Sequence, residues 1–209
     1  MIDATLETLY MTGVSMFASY LLGLPLGIIS NETRKSGLYP NVVIHAIVEF
    51  IIGLGRAIPF TILMVLALPL TRLLVGTGVG TTATIVPLTL AATPFVARLV
   101  SISLNQVERE IVEAAKIDGG SKFKIIFKIS IGSRLFDIIE GMGTSSVAIV
   151  SYTAISGTLG GGGLGNYAIT KGYYQYDWLS VALATGVIVA IVILLQWIFR
   201  LISKAFDWR

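Results

Sequence analysis

The chain has no cysteine, one histidine and little charge. Without cysteine there is no disulfide, no thiolate chemistry and no cysteine metal site. His45 alone makes a histidine-rich metal site impossible. Charged residues are 13% of the 209, about half the share usual in soluble domains, and too few to cover a soluble surface. Also missing are a Gly-x-Ser-x-Gly elbow, a His-Glu-x-x-His pair and a Gly-Lys-Ser/Thr phosphate loop. A soluble enzyme, a disordered chain and a secreted disulfide scaffold are excluded, and the chain is not expected to hydrolyse ATP. What is present is apolar: 55% hydrophobic residues and a mean hydropathy of +0.84. The expected class is an all-α integral membrane protein.

A bilayer core about 30 Å thick needs roughly 20 apolar residues per helix. Charge-free runs at 8–31, 73–97, 141–170 and 178–199 place spans at about 9–29, 82–100, 136–157 and 179–202. The stretch 42–68 carries Glu49 and Arg56 but is otherwise apolar, and is read as the second of five spans. The first span lacks the basic start and small-residue cleavage site of a signal peptide. Of the 15 Lys and Arg, Arg34, Lys35, Arg98, Arg109, Lys116, Lys122, Lys124, Lys128, Arg134, Arg200, Lys204 and Arg209 fall on one side. Arg72 and Lys171 fall on the other, and Arg56 lies inside span 2. Positive loops stay in the cytoplasm, so the N-terminus is expected outside and the C-terminus inside. One transmembrane domain, 1–209, is expected.

The basic loop at about 104–134 carries the most information. Val107–Asp118 has good helix formers and meets a stop at Gly119-Gly120. Ser121 can cap a second short helix, with Phe123, Ile126 and Phe127 on one face and Lys122, Lys124 and Lys128 elsewhere. Periodicity alone reads this as an interfacial helix near anionic lipid. The residues add more. Glu113-Ala114-Ala115, three residues, Gly119, nine residues and Ile129 resemble the EAA motif of permease subunits of ABC importers. The resemblance implies a type I importer permease fold and a loop that couples to a separate ATPase through Glu113, Ala114, Ala115, Gly119 and Ile129. The family pattern ends Ile-x-Leu-Pro, whereas this chain has Ile129-Ser130-Ile131-Gly132, which implies a looser bend before span 4.

Three further segments narrow the resemblance. Arg56-Ala57-Ile58-Pro59-Phe60, Ile85-Val86-Pro87-Leu88-Thr89 with Pro94-Phe95 and Ala97-Arg98, and Gly161-Gly162-Gly163-Leu164-Gly165 with Tyr173 and Tyr174 are similar to methionine-importer permeases of the MetI type. The resemblance implies a multi-pass protein of the bacterial plasma (inner) membrane that translocates methionine. It implies a second copy of the chain, two ABC ATPase subunits and an external methionine-binding protein or lipoprotein, with no nucleic acid. No cofactor is expected in this chain, since ATP and Mg belong to the partner ATPase. The alternatives are an ABC permease for another amino acid or a small osmolyte, and a secondary transporter, although five spans do not divide into equal repeats.

The remaining candidates are weighed singly. Glu49 and Arg56 lie seven apart, roughly on one helical face, and a structural role is expected for each. Pro59, Pro87 and Pro94 are expected to bend spans 2 and 3. Span 4 is rich in small and hydroxyl residues that favour close packing, and as a group marks a pathway helix. Arg56, Pro59, Phe60, Thr144, Ser145 and Ser151 are the pathway or gating candidates. Asp137 and Glu140 suit a helix N-terminus. Gly161, Gly162, Gly163, Leu164 and Gly165 are either a flexible turn or a contact for the binding protein, and the match to Gly-x-Gly-x-x-Gly there is accidental because no strand precedes it. Tyr167, Tyr173, Tyr174, Tyr176 and Trp178 form either an interfacial belt or part of that contact. His45 is expected to be structural.

Overall fold

The computed structural model describes residues 1–206; Arg209, counted above among the tail cations, lies outside the described residues. The described residues form eleven α-helices joined by short 3₁₀ and π turns, with no strand among them. Four stretches are long and apolar enough to cross a membrane: Ile2–Thr33 (α1), Thr81–Asn105 (α5), Leu135–Leu159 (α9, Leu135–Ser156, with a 3₁₀ turn) and Trp178–Lys204 (α11). A fifth is a broken pair, Val42–Ala57 (α2) and Phe60–Leu66 (α3), bent by 105°. The run read as a single span 2 is therefore kinked sharply, and a short helix Leu68–Val75 (α4) follows it.

The break has a local cause. A residue before proline is driven out of the helical region, and Ile58 is extended at φ −77° and ψ 121°. Pro59 then has no N–H to continue the ladder. Asn41 starts α2 by accepting the amides of Val43 and Ile44. In contrast, α5 runs unbroken through Pro87 and Pro94, as α1 does through Pro25.

Packing centres on α1, α5 and α9. Met16, Tyr20, Ala92, Val96, Val100, Leu104, Ile138 and Ile149 form the main core. Gly23 and Gly27, one turn apart on α1, face α5 so closely that an added Cβ would sit 2.8 Å from the Thr93 carbonyl oxygen and 2.6 Å from that of Ala97. Small residues at this spacing let two helix backbones approach, which supplies packing where lipid offers no hydrophobic drive. α2 and α11 leave large apolar side chains exposed, among them Phe50, Leu54, Leu183, Ile193 and Trp197. Such faces are stable only against lipid or another chain.

Asp177 starts α11, accepting the Ser180 amide at 3.3 Å and its hydroxyl at 2.6 Å. The Ser180 hydroxyl, then its amide, hold the carboxyl below its ordinary pKa. A depressed carboxyl stabilises the fold above the unfolded carboxylate range and loses that contribution as pH falls through the folded value. Asp177→Asn is thus expected to lower thermal stability near neutral pH, and the gap to the unaltered chain should close in acid. A gap that does not vary with pH would remove the charge from this account.

Candidate functional site

Three groups of predicted residues fall in three places. The first is the basic loop. Arg109–Ile117 (α6) ends as its sequence predicts. Gly119 takes φ +77°, and its amide bonds the Lys116 carbonyl while that of Gly120 bonds the Ala115 carbonyl. This is a Schellman-type stop, open to glycine without steric cost. Ser121 then accepts the Lys124 amide and caps the next helical segment: Lys122–Lys124 (α7), a π turn Ile125–Ser130 and Ile131–Ser133 (α8). Glu113 and Ala114 are exposed, whereas Ala115 and Ile129 pack half-buried on Ile125 and Ile126.

The π turn corrects one expectation. Phe123, Ile126 and Phe127 do not share a face. Ile126 is buried, while Phe123 and Phe127 are exposed and pair with ring centroids 4.3 Å apart. The wider turn, closed by the Ile131 amide on the Ile126 carbonyl, shifts the phase of the helix. The loosened bend at Gly132 is not where the chain turns either: Gly132 is helical in α8, and the turn falls at Arg134, φ −117°. The Arg134 guanidinium donates to the Gln106 carbonyl and pairs with Asp137 at 3.4 Å, tying the start of α9 to the end of α5. A cavity of about 320 Å³ separates α6 from the turn after α1, lined by Glu32, Arg34, Arg109, Glu113 and Lys116 among others. Burial lowers the Arg34 pKa, the Glu32 charge opposes this, and Arg109 adds to it.

The second group surrounds the break in span 2. Arg56 and Phe60 line a cavity of about 230 Å³ with Gly55, Ala91, Phe95 and Tyr152, and Pro59 forms the break beside them. The Phe60 ring stacks on Tyr152 at 4.7 Å and 15°. Thr144, Ser145 and Ser151 do not join this cavity. Ser145 is fully buried and donates to the Tyr20 hydroxyl at 3.2 Å. Thr144 lines a different cavity, with Glu140, Gln196 and Arg200, and Ser151 is exposed, its hydroxyl bonded to the Val147 carbonyl.

Glu49 does not turn to Arg56. It pairs with Arg98 of α5 at 3.4 Å and accepts the Ser30 hydroxyl of α1 at 2.5 Å. His45 Nδ1 donates to the Ser30 carbonyl at 3.0 Å. Three helices thus meet at one polar knot, which gives both Glu49 and His45 the structural roles expected of them.

The third group, the glycine run, is neither a flexible turn nor an open surface. Gly161, Gly163, Leu164 and Gly165 are buried and Gly162 is half-buried. The Gly163 amide bonds the Glu7 carboxylate at 2.6 Å, and the Leu164 amide bonds the Thr8 hydroxyl at 2.9 Å. Gly80 donates to the Gly160 carbonyl at 2.9 Å. Gly162 and Gly163, at φ +79° and +76°, let the chain double back onto α1. The exposed surface beside the run is Thr158–Gly160 with Tyr173, Tyr174, Tyr176 and Trp178, while Tyr167 is half-buried near Ser180.

Four features escaped the sequence reading. Gly23-x-x-x-Gly27 was legible as a packing motif. The Glu49–Arg98 pair, the Arg134 bond to Gln106 and the Glu7–Thr8 clamp carry no local signal, because their partners lie far away in the chain.

Comparison with known proteins agrees with this architecture. Residues 23–208 match the family described as binding-protein-dependent transport system inner membrane component. A probable D-methionine transport system permease protein MetI from Vibrio cholerae is 39% identical over 209 residues, all of this chain and 93% of that protein. The methionine import system permease protein MetP of Bacillus subtilis is 38% identical over 207 residues, 99% of this chain and 93% of its own. The structure superposes with a TM-score of 0.96 and 33% identity on a chain of the inward-facing MetNI methionine ABC transporter, covering 99% of this chain and 95% of that one. On this match and this architecture, the chain belongs to the family of binding-protein-dependent transport system inner membrane components.

Proposed function

We propose that the chain is the membrane permease of an ATP-driven, binding-protein-dependent methionine importer in the bacterial inner membrane. The observation that carries this reading is resemblance along the whole chain to methionine permeases, at 39% identity with one of them. Two copies pair around a central passage, with the N-terminus outside and the basic loop in the cytoplasm. Two partner ATPases bind ATP and Mg and receive the exposed Glu113–Ala114 edge of α6. Ala115 and Ile129 seat α6 on Ile125 and Ile126, so that a push on α6 moves the α7–α8 segment. The Arg134 tie passes that push to α9. Arg56, Pro59, Phe60, Thr144, Ser145 and Ser151 belong to the helices that rock; Ser145 does so by fixing α9 to α1, Thr144 and Ser151 from exposed positions on α9. The glycine run Gly161, Gly162, Gly163, Leu164 and Gly165 supports the docking surface for the external methionine-binding protein from beneath. Contact with that protein falls to Thr158–Gly160 and the neighbouring tyrosines.

The test is uptake of labelled methionine by proteoliposomes holding this chain, its ATPase and its binding protein, with unlabelled amino acids as competitors. ATP-dependent uptake blocked chiefly by methionine is expected. Chief competition by another amino acid would overturn the cargo, and uptake without ATP would overturn the mechanism. Gly119→Val tests the loop in the same vesicles. A β-branched residue at φ +77° costs about 1–2 kcal/mol or reshapes the α6 stop. Uptake is expected to fall at least tenfold while the complex still assembles. Normal uptake would dismiss the coupling role.

A further inference from the structure

We infer that the cavity at the break of span 2 is a transit site for a zwitterionic α-amino acid with an apolar side chain. This rests on the importer reading and adds where, and by what chemistry, the cargo is held on its way through. Three kinds of group meet there. Among the described residues, Arg56 is the only charged one lining the cavity. Among the described residues it makes no ion pair, and the neighbouring carboxylate, Glu49, is already engaged by Arg98 and Ser30. A guanidinium so placed suits a carboxylate. Gly55 supplies the complement. In a continuous helix its carbonyl would accept from residue 59, but residue 59 is proline and has no N–H. The break thus takes away the donor that a continuous helix would give this carbonyl, and a carbonyl so placed suits an ammonium group. Third, the remaining side chains of the wall are Ile58, Phe60 stacked on Tyr152, and Phe95 and Ala91 from α5, three of them aromatic. Thioethers make favourable contacts with ring edges.

Size agrees with chemistry. The cavity of about 230 Å³ holds the volume of roughly eight waters at ~30 Å³ each. That is room enough for one small amino acid. Among the described residues, no carboxylate lines the wall to receive a cationic side chain, and no second cation to receive an acidic one. The site therefore favours neutral side chains without requiring sulfur. A broken helix that exposes backbone polar groups to a cavity is a recurrent way for transporters to hold charged groups of a substrate inside a membrane. The site belongs to the permease, and selectivity here adds to whatever the external binding protein imposes.

The experiment uses the assembled complex in proteoliposomes and photo-methionine, the diazirine analogue, as probe. Illumination during ATP-driven turnover is expected to label peptides carrying Phe60, Phe95 or Tyr152. Excess methionine should suppress the label; lysine and glutamate should not. Arg56→Gln should remove the label and cut uptake about tenfold, and Arg56→Lys should restore part of both, because a cation survives without the fork. The labelling arm uses the unaltered chain, so it decides the question even where a variant fails to assemble. Competed label mapping elsewhere, or Arg56→Gln uptake equal to the unaltered chain, overturns the site while leaving the importer reading intact. Failure of the unaltered complex to take up methionine overturns the reading on which the site rests.

Discussion

A chain carrying Gly27→Ile is expected to insert into the membrane and fail to pack. The new Cβ would sit 2.6 Å from the Ala97 carbonyl oxygen and 2.7 Å from Val100 Cβ. The first of these is backbone inside a helix, so it cannot rotate away. α1 must move off α5, and with it goes the contact that buries Met16 and Tyr20 against Val96 and Val100. Overpacking costs about 1–3 kcal/mol, and the lost helix contact puts the total at the upper end or beyond. A loss of about 3 kcal/mol corresponds to a fall of roughly 6–12 °C in Tm for a chain of this size. The control is Gly13→Ile on the same helix, where an added Cβ has nothing within 4 Å. Thermal scans of the two variants in detergent should differ sharply. Equal Tm values would mean that the α1–α5 approach does not hold the fold.

Gly165→Ala should be nearly as damaging, although it adds one methyl group. At that position a Cβ would lie 2.2 Å from the Ala154 carbonyl oxygen and 2.7 Å from its Cα. A Cβ added at Gly157 would likewise run into the Asn166 nitrogen. The run must therefore peel from α9. As it does, Gly163 and Leu164 lose the Glu7 and Thr8 acceptors that hold them to α1. Hydrogen exchange reads this directly. Both amides are expected to be protected in the unaltered chain and to exchange at least a hundredfold faster in Gly165→Ala, with binding-protein-driven uptake lost in parallel. Unchanged protection would show that the run tolerates a side chain and that its glycines serve conformation alone.

Much of the architecture was legible because membrane insertion is read from composition. A chain with 13% charge and long uncharged runs has few soluble solutions. Local signals were equally direct. Ser121 caps, Gly119 stops α6, and Pro59 breaks span 2, because each acts on backbone within a few residues of itself. The reading went astray where phase mattered. A π turn of six residues moved Phe123 and Phe127 away from Ile126, and periodicity over so short a segment cannot anticipate one extra residue per turn.

By itself, then, the sequence determined the class, the α6 stop and the bend at Ile58–Pro59, while the helix ends it left loose: α1 begins at Ile2 and runs to Thr33, well beyond the 9–29 expected. Only the tertiary structure decided which charges pair and which loops are rigid. It turned Glu49 to Arg98 rather than Arg56, left Arg56 facing an aromatic cavity, and buried the glycine run under Glu7 and Thr8. The physical reason is range. Caps, stops and proline breaks are set by hydrogen bonds within about one turn. Pairing of Glu7 with Gly163 joins residues 156 apart, and depends on two helices already lying side by side.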